Sequence, residues 1–187
     1  QCTNMTSVTI PSSVTTLGNG AFSESGLTSV TIPATVTAIG SGSFSNCKSL
    51  ATVNWAPGST ITTIPPSMFT GTGLTEITFP DAVTTISSNA YQNIFGHTAN
   101  TVTVTEPIVI PASVITIGLS AFSRVMTTCP TLILGKNVIS VGTWAFDGEQ
   151  TIGGAQNYVF PDETTLTSIG GEAFRAAETA PNVFVYS

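Results

Sequence analysis

The sequence predicts a mainly β solenoid of about seven to eight stacked repeats with little helix. Three observations carry this: one phrase recurs along the whole chain, apolar residues alternate with threonine inside it, and charged residues are scarce. Only 7% of the 187 residues are Asp, Glu, Lys or Arg, against about 25% in an ordinary soluble domain. A long soluble helix carries such residues on its wet face, so a helical bundle is disfavoured. The hydrophobic fraction of 41% excludes a wholly disordered chain, and the length allows a real core.

The copies follow one another along the chain. The first runs Val8-Thr9-Ile10-Pro11, then Val14, Leu17-Gly18 and Ala21-Phe22. The second runs Ser29-Val30-Thr31-Ile32-Pro33, then Val36, Ile39-Gly40 and Ser43-Phe44. A weaker third spans Val53-Asn54-Trp55 to Met68-Phe69. The fourth passes from Ile77-Thr78-Phe79-Pro80 through Val83 and Ile86 to Ala90-Tyr91. The fifth holds Ile108-Val109-Ile110-Pro111, Val114, Ile117-Gly118 and Ala121-Phe122. A weaker sixth links Leu132-Ile133-Leu134 to Ala145-Phe146, and the seventh links Tyr158-Val159-Phe160-Pro161 to Ala173-Phe174. The closing aromatic therefore falls at 22, 44, 69, 91, 122, 146 and 174. A period of this size marks a stacked repeat architecture.

Within one unit, Leu27, Val30 and Ile32 flank Thr31 with the period of two that marks a half-buried strand. Pro33 has no amide hydrogen for a ladder, so it ends the strand. Val36, Ile39, Ser43 and Phe44 have helical spacing, but the segment is short, β-branched and interrupted by Gly40. A second extended piece followed by a single helical turn is expected, with Gly40 as the flexible corner. One unit has nothing to bury its apolar residues against, whereas stacked neighbours do. Val8, Val30, Val53, Ile77, Ile108, Leu132 and Tyr158 are expected to form one inward ladder, and the seven closing aromatics a second.

This skeleton resembles the BspA-like class of leucine-rich repeats, found in bacterial and protist cell-surface proteins. The resemblance runs from Cys2 to Val185. It implies a curved solenoid with a parallel sheet on its concave face, an extracellular or cell-surface location, and adhesion or recognition rather than catalysis. Residues 1–187 then read as a single leucine-rich repeat domain, expected to be a fragment of a longer array. Trp55-Ala56 and Leu134-Gly135 lack the proline, and Pro65 and Ser87 replace the usual glycine. Local distortion is expected there, with the core anchors kept.

Chemistry is sparse. Four basic against ten acidic residues give a net charge of −6, which excludes a nucleic-acid footprint. No apolar run approaches the length of a membrane span, so membrane insertion within this segment is excluded, and Gln1 does not open a signal peptide. The single histidine, His97, excludes a multi-histidine metal site. No P-loop, nucleophile elbow or dinucleotide fingerprint is present, so no enzyme activity and no cofactor are expected. Asp147-Gly148-Glu149 and Asp162-Glu163 lack calcium-loop spacing and read as solvated turn acids. Asn4-Met5-Thr6 is a glycosylation sequon, relevant only in a secreted eukaryotic protein. Counted back from the strand, Cys2, Glu24 and Cys47 share one slot, and Cys129 falls in the slot of Leu27. All three cysteines therefore read as core residues without a disulfide.

Binding is the remaining route to function. Residues between the inward anchors form a row across the sheet: Thr9, Thr31, Asn54, Thr78, Val109, Ile133, Val159 and Phe184. The row turns from polar to apolar halfway along, and an exposed apolar stripe marks a partner surface; β-branched residues also simply suit exposed strands. The expected partner is a protein or glycan on another surface, or copies of the chain itself. A structural, self-assembling protein stacking through uncapped solenoid ends is the second reading, because the chain begins and ends inside a repeat. Ice binding through regular Thr rows is remote: only Thr101-Val102-Thr103-Val104-Thr105 has the alternating form.

Overall fold

The computed structural model describes residues 3–94, 107–125, 131–148, 157–161, 165–175 and 183–186. These hold thirteen short strands and no helix. The strands fall into two series, and every pairing is parallel, between equivalent positions of successive repeats. The first series comprises Ser29–Ile32, Thr52–Trp55, Ile108–Val109, Thr131–Ile133, Asn157–Phe160 and Val183–Tyr186. The second comprises Thr16–Leu17, Ala38–Ile39, Thr63–Ile64, Thr85–Ile86, Thr116–Ile117, Ser140–Val141 and Ser168–Ile169. Val30 stands beside Val53, and Ile86 stands between Ile64 and Ile117. The result is a parallel β solenoid, as the repeat pattern predicts.

Both expected ladders form. Val30, Val53, Ile108, Leu132 and Tyr158 are buried, and Val8 and Ile77 pack half-buried against the same core. Phe44, Phe69, Tyr91, Phe122 and Phe146 are buried in a column of rings whose centroids are 5.2 to 5.9 Å apart. Phe22 and Phe174 extend that column at 5.3 Å on either end. Offset stacking at this separation adds to the burial of each ring.

The aromatic column lies on a third side of the solenoid, where the structure departs from the expected helical turn. Gly20 and Glu24 take left-handed φ values of 61° and 58°, and Gly42 and Asn46 repeat them at 64° and 58°. The left-handed residues rotate the peptide planes, so alternate amides point along the solenoid axis. Gly20, Phe22 and Glu24 donate to the carbonyls of Ser41, Ser43 and Ser45 at 2.8 to 2.9 Å. A helical turn would direct its amides within one copy and leave none for the neighbour. This corner is therefore a third hydrogen-bonded ladder between repeats.

The corner glycine also has a different origin from the one expected. Gly40, Gly118 and Gly142 are not in the left-handed region. A Cβ built on Gly142 would lie 2.6 Å from the carbonyl carbon of Gly118, and one on Gly118 would lie 2.7 Å from the Ser88 amide nitrogen. The glycine permits backbones of successive copies to approach. Gly18, in the first copy, has nothing within 4 Å.

Two irregular units disturb the ladders as their sequence suggests. Pro65 has no N–H to match the bond from Gly40 to the Leu17 carbonyl (2.8 Å), and the second series is interrupted between Ala38–Ile39 and Thr63–Ile64. Ser87, by contrast, keeps its donor, bonds the Ile64 carbonyl at 3.0 Å and leaves the ladder intact. Trp55 occupies the place of Ile32, and its indole nitrogen donates to the Thr78 carbonyl at 3.2 Å. Thr78 turns its own hydroxyl to the Val53 carbonyl at 2.8 Å, and residues 77–79 form no strand. Where the proline is missing after Trp55, the run Ala56-Pro57-Gly58-Ser59 closes with a 3.1 Å bond, and Gly58 has φ of 79°. Those are the residues and the φ of a type II turn.

The abundance of threonine follows from the stacking. Thr37 donates both its amide (2.9 Å) and its hydroxyl (3.3 Å) to the Thr15 carbonyl of the preceding copy. Thr84 does the same to Thr62, and Thr167 to Ile139. Hydroxyls thus satisfy the sheet margins, where charged side chains are few.

Cys47 is buried, with Sγ 2.9 Å from the Phe22 carbonyl and 3.2 Å from the Ser25 hydroxyl. Its counterpart in the preceding copy is Ser25, not Glu24, because Glu24 and Asn46 share the left-handed corner position. Counting back from the strand misplaces the slot by one residue, since the loop after Phe44 is one residue longer. Cys2 and Cys129 lie outside the described residues.

Candidate functional site

The outward row of the first strand series is real over most of its length. Thr9, Thr31 and Asn54 are exposed, Thr31 stands beside Asn54, and Thr78 is half-buried. Val109 stands beside Ile133, which stands beside Val159. Val109 is 53% exposed, and Ile133 and Val159 are half-buried. Strand spacing of about 4.8 Å merges the three side chains into one stripe.

Phe184 does not belong to this row. Strand register puts Val185 beside Val159 and Phe184 beside Tyr158. The segment Val183-Phe184-Val185-Tyr186 is apolar at every position, so alternation gives no phase, and a slip of one residue exchanges the faces.

Composition along a single row misses a second exposed apolar group. The residue preceding each strand of the second series is Thr15, Thr37, Thr62 or Thr84 in the first four copies, then Ile115 and Ile139, and Thr167 in the last. Ile115 and Ile139 are 41% and 44% exposed. Both rows are therefore apolar in the fifth and sixth copies, and they part in the seventh, where Val159 is apolar and Thr167 polar. A comparison of this row across copies was the signal that identifies it.

Charge collects at the aromatic corner of the last copies. Arg175 grips Asp147 with Nε to Oδ1 at 3.0 Å and Nη2 to Oδ2 at 3.3 Å, and its Nη1 lies 2.6 Å from Glu172 Oε2. The same Glu172 oxygen accepts from the Trp144 indole N–H at 3.1 Å. Asp147 is buried and ion-paired, not the solvated turn acid its sequence suggests. Its position is held by Ser23 and Ser45 in early copies.

At the other end, Thr3, Glu24, Ser25, Gly26, Asn46, Lys48 and Ser49 line an open cleft of about 460 Å³. Among the described residues no three His, Cys, Asp or Glu side chains gather to hold a metal, and no helix is long and apolar enough to cross a membrane. Asn4 and Thr6 of the sequon are exposed. His97, Glu149, Asp162-Glu163 and the Thr101–Thr105 run lie outside the described residues.

These features agree with comparisons to known proteins. A search of curated proteins finds no match. A solved leucine-rich cell-surface protein from Faecalibacterium prausnitzii A2-165 is 26% identical, with a TM-score of 0.62 over 86% of this chain and 40% of that one. This chain thus spans about two fifths of that protein's solved length. A leucine-rich repeat protein of T. pallidum has the same fold, with a TM-score of 0.59 at 20% identity over 84% of this chain and 67% of that one. The family described as BspA type leucine rich repeat region (6 copies) matches residues 1–98 and 95–186. With its parallel ladders and aromatic column, the chain belongs to the BspA-type leucine-rich repeat family.

Proposed function

We propose that this chain is a non-enzymatic recognition module at the cell surface, binding a protein partner through the outward face of its first strand series. The observation that carries the reading is the in-register stripe of Val109, Ile133 and Val159, beside polar counterparts at Thr31 and Asn54. A sheet face exposing an apolar stripe gains free energy when a partner removes it from water. The extracellular location rests on likeness to the F. prausnitzii cell-surface protein. Adhesion follows the same reading: a rigid sheet presents the stripe with little ordering cost on binding.

The test is the double substitution Val109→Thr and Ile133→Thr, which keeps β-propensity and adds two hydroxyls. The folded protein is assayed for capture of a surface-protein library and for sedimentation. Loss of binding with an unchanged melting temperature supports the reading. Unchanged binding rejects the stripe, and loss of self-association alone assigns it to copies of this chain.

A further inference from the structure

Trp144 is expensive for the fold to keep. Its φ is 54°, in the left-handed region where side chains other than glycine are strained. Its amide donates to the Gly171 carbonyl at 3.1 Å, the same bond that Gly20 and Gly42 make from this position in the first two copies. Ser67, Asn89 and Ser120 fill it in the next three. Small residues serve the corner, and two copies use the residue the backbone prefers. Trp144 nevertheless remains 42% exposed, one of the large apolar side chains the fold leaves facing water.

The ring is held in one orientation. Its N–H is fixed on Glu172 Oε2, Glu172 is held by Arg175, and Arg175 is held by the nearly buried carboxylate of Asp147. The Glu172 side chain is 52% exposed and that of Arg175 is 33% exposed. The corner thus presents a flat apolar surface with an acceptor and a donor fixed at its edge. Because the indole N–H already has its partner, a ligand meets the exposed part of the ring away from that nitrogen.

The geometry points to a carbohydrate subsite at Trp144, in which a pyranose ring lies on the indole and its hydroxyls bond to Glu172 and Arg175. A pyranose combines a flat C–H face with a rim of hydroxyls, and that matches a single aromatic ring edged by polar groups. The alternatives fit less well. An anion meets a chain of net charge −6 and two carboxylates at the site. A cation meets a Glu172 charge already balanced by Arg175. One ring flanked by Ser120 and Glu172 in its own row is too small an anchor for a protein interface, which needs about 800 Å² on each side. This subsite is on the aromatic corner and is independent of the stripe at Val109, Ile133 and Val159.

The experiment is a fluorescence titration of the full chain with cellotetraose and with the tetramer of N-acetylglucosamine, each taken to about 10 mM so that millimolar binding saturates. A saturable change in tryptophan emission with at least one oligosaccharide is expected. Trp144→Gly abolishes it while the chain stays folded, because relief of the left-handed strain offsets the packing and the hydrogen bond that are lost. Trp55 remains as the reporter of folding. Glu172→Gln weakens binding about tenfold, again with the fold intact. No saturable response to either sugar overturns the proposal, as does a response that survives Trp144→Gly. Loss of binding to a protein ligand alone in the Trp144→Gly chain also overturns it, in favour of a protein contact.

Discussion

Tyr91 and Phe122 lie face to face, with ring centroids 5.2 Å apart and planes within 3° of parallel, although they belong to copies separated by the longest insertion. The spacing on either side of this pair is the same: Phe69 to Tyr91 and Phe122 to Phe146 are both 5.2 Å. The column therefore passes the insertion unbroken, as does the second strand series, in which Thr85 pairs with Thr116 and Ile86 with Ile117. A stacked architecture couples each copy only to its neighbours. The aromatic rings and the amide ladder beside them supply that coupling without a break over the described copies.

Position in the column sets the cost of losing a ring. Phe122→Ala removes a fully buried side chain with neighbours on both sides, and is expected to cost about 3–5 kcal/mol. Phe22→Ala removes a half-buried ring with one described neighbour, and the loss should be distinctly smaller. Urea unfolding of both variants measures the difference. Equal losses contradict the column as the source of stability.

Tyr91 makes stability depend on alkaline pH. Burial raises its phenol far above the ordinary tyrosine value, and its hydroxyl donates to the Thr78 carbonyl at 3.3 Å. Above about pH 10 the unfolded chain releases this proton and the folded chain keeps it, so the folded state binds more protons. Stability then falls as pH rises, by about 1.4 kcal/mol per unit for this one group. Tyr91→Phe should flatten the decline between pH 10 and 12 while changing stability at pH 7 by no more than about 1.5 kcal/mol, the worth of one hydrogen bond. An unchanged alkaline slope in the variant counts against a buried phenol.

Glycine at the corner between the second strand and the aromatic turn separates two roles. Gly142→Ala puts a methyl group within 2.6 Å of the Gly118 carbonyl carbon and the Leu119 amide nitrogen, and backbone cannot yield as a side chain does. A loss of about 1–3 kcal/mol is expected. Gly18→Ala meets nothing within 4 Å and should be neutral, or stabilising by up to about 1 kcal/mol. Thermal melts of the pair test close approach against backbone flexibility as the reason for the residue.

Much of this fold is legible in the sequence because stacking forces equivalent residues into equivalent places. Val30, Phe44 and their counterparts recur in the same order in every copy, and each lands in its expected ladder. Backbone conformation at the aromatic corner is not legible. Glu24, Asn46, Arg124 and Trp144 all take left-handed φ values there, and no shared side chain announces it. The spacing of Val36, Ile39, Ser43 and Phe44 imitates a helix face although Ile39 ends a strand and Ser43 and Phe44 lie in the left-handed corner. The outward row is legible where the strand alternates or a neighbouring motif sets its phase, and fails at Phe184, where apolar residues at every position of Val183-Phe184-Val185-Tyr186 leave none. Trp144 escapes notice because its position carries no apolar residue in any other copy, so only its backbone angle and its bond to Glu172 distinguish it.

The left-handed corner offers the last prediction. Arg124 has φ of 62°, its amide donates to the Asp147 carbonyl at 2.7 Å, and its side chain is exposed. An L-residue in this region costs about 1–2 kcal/mol, because Cβ crowds the following carbonyl. Glycine avoids that cost but loses more chain entropy on folding, by about 0.5–1 kcal/mol. The balance favours Arg124→Gly by up to about 1 kcal/mol. Asparagine, already used at Asn46, Asn89 and Asn93, should fall between arginine and glycine. Arg124→Val should be the worst of the set, because a β-branched side chain fits this region least. The expected order of melting temperature is Gly, Asn, Arg, Val. A valine variant as stable as the glycine variant would mean that the corner is not held in the left-handed conformation, and the third ladder between repeats would lose its basis.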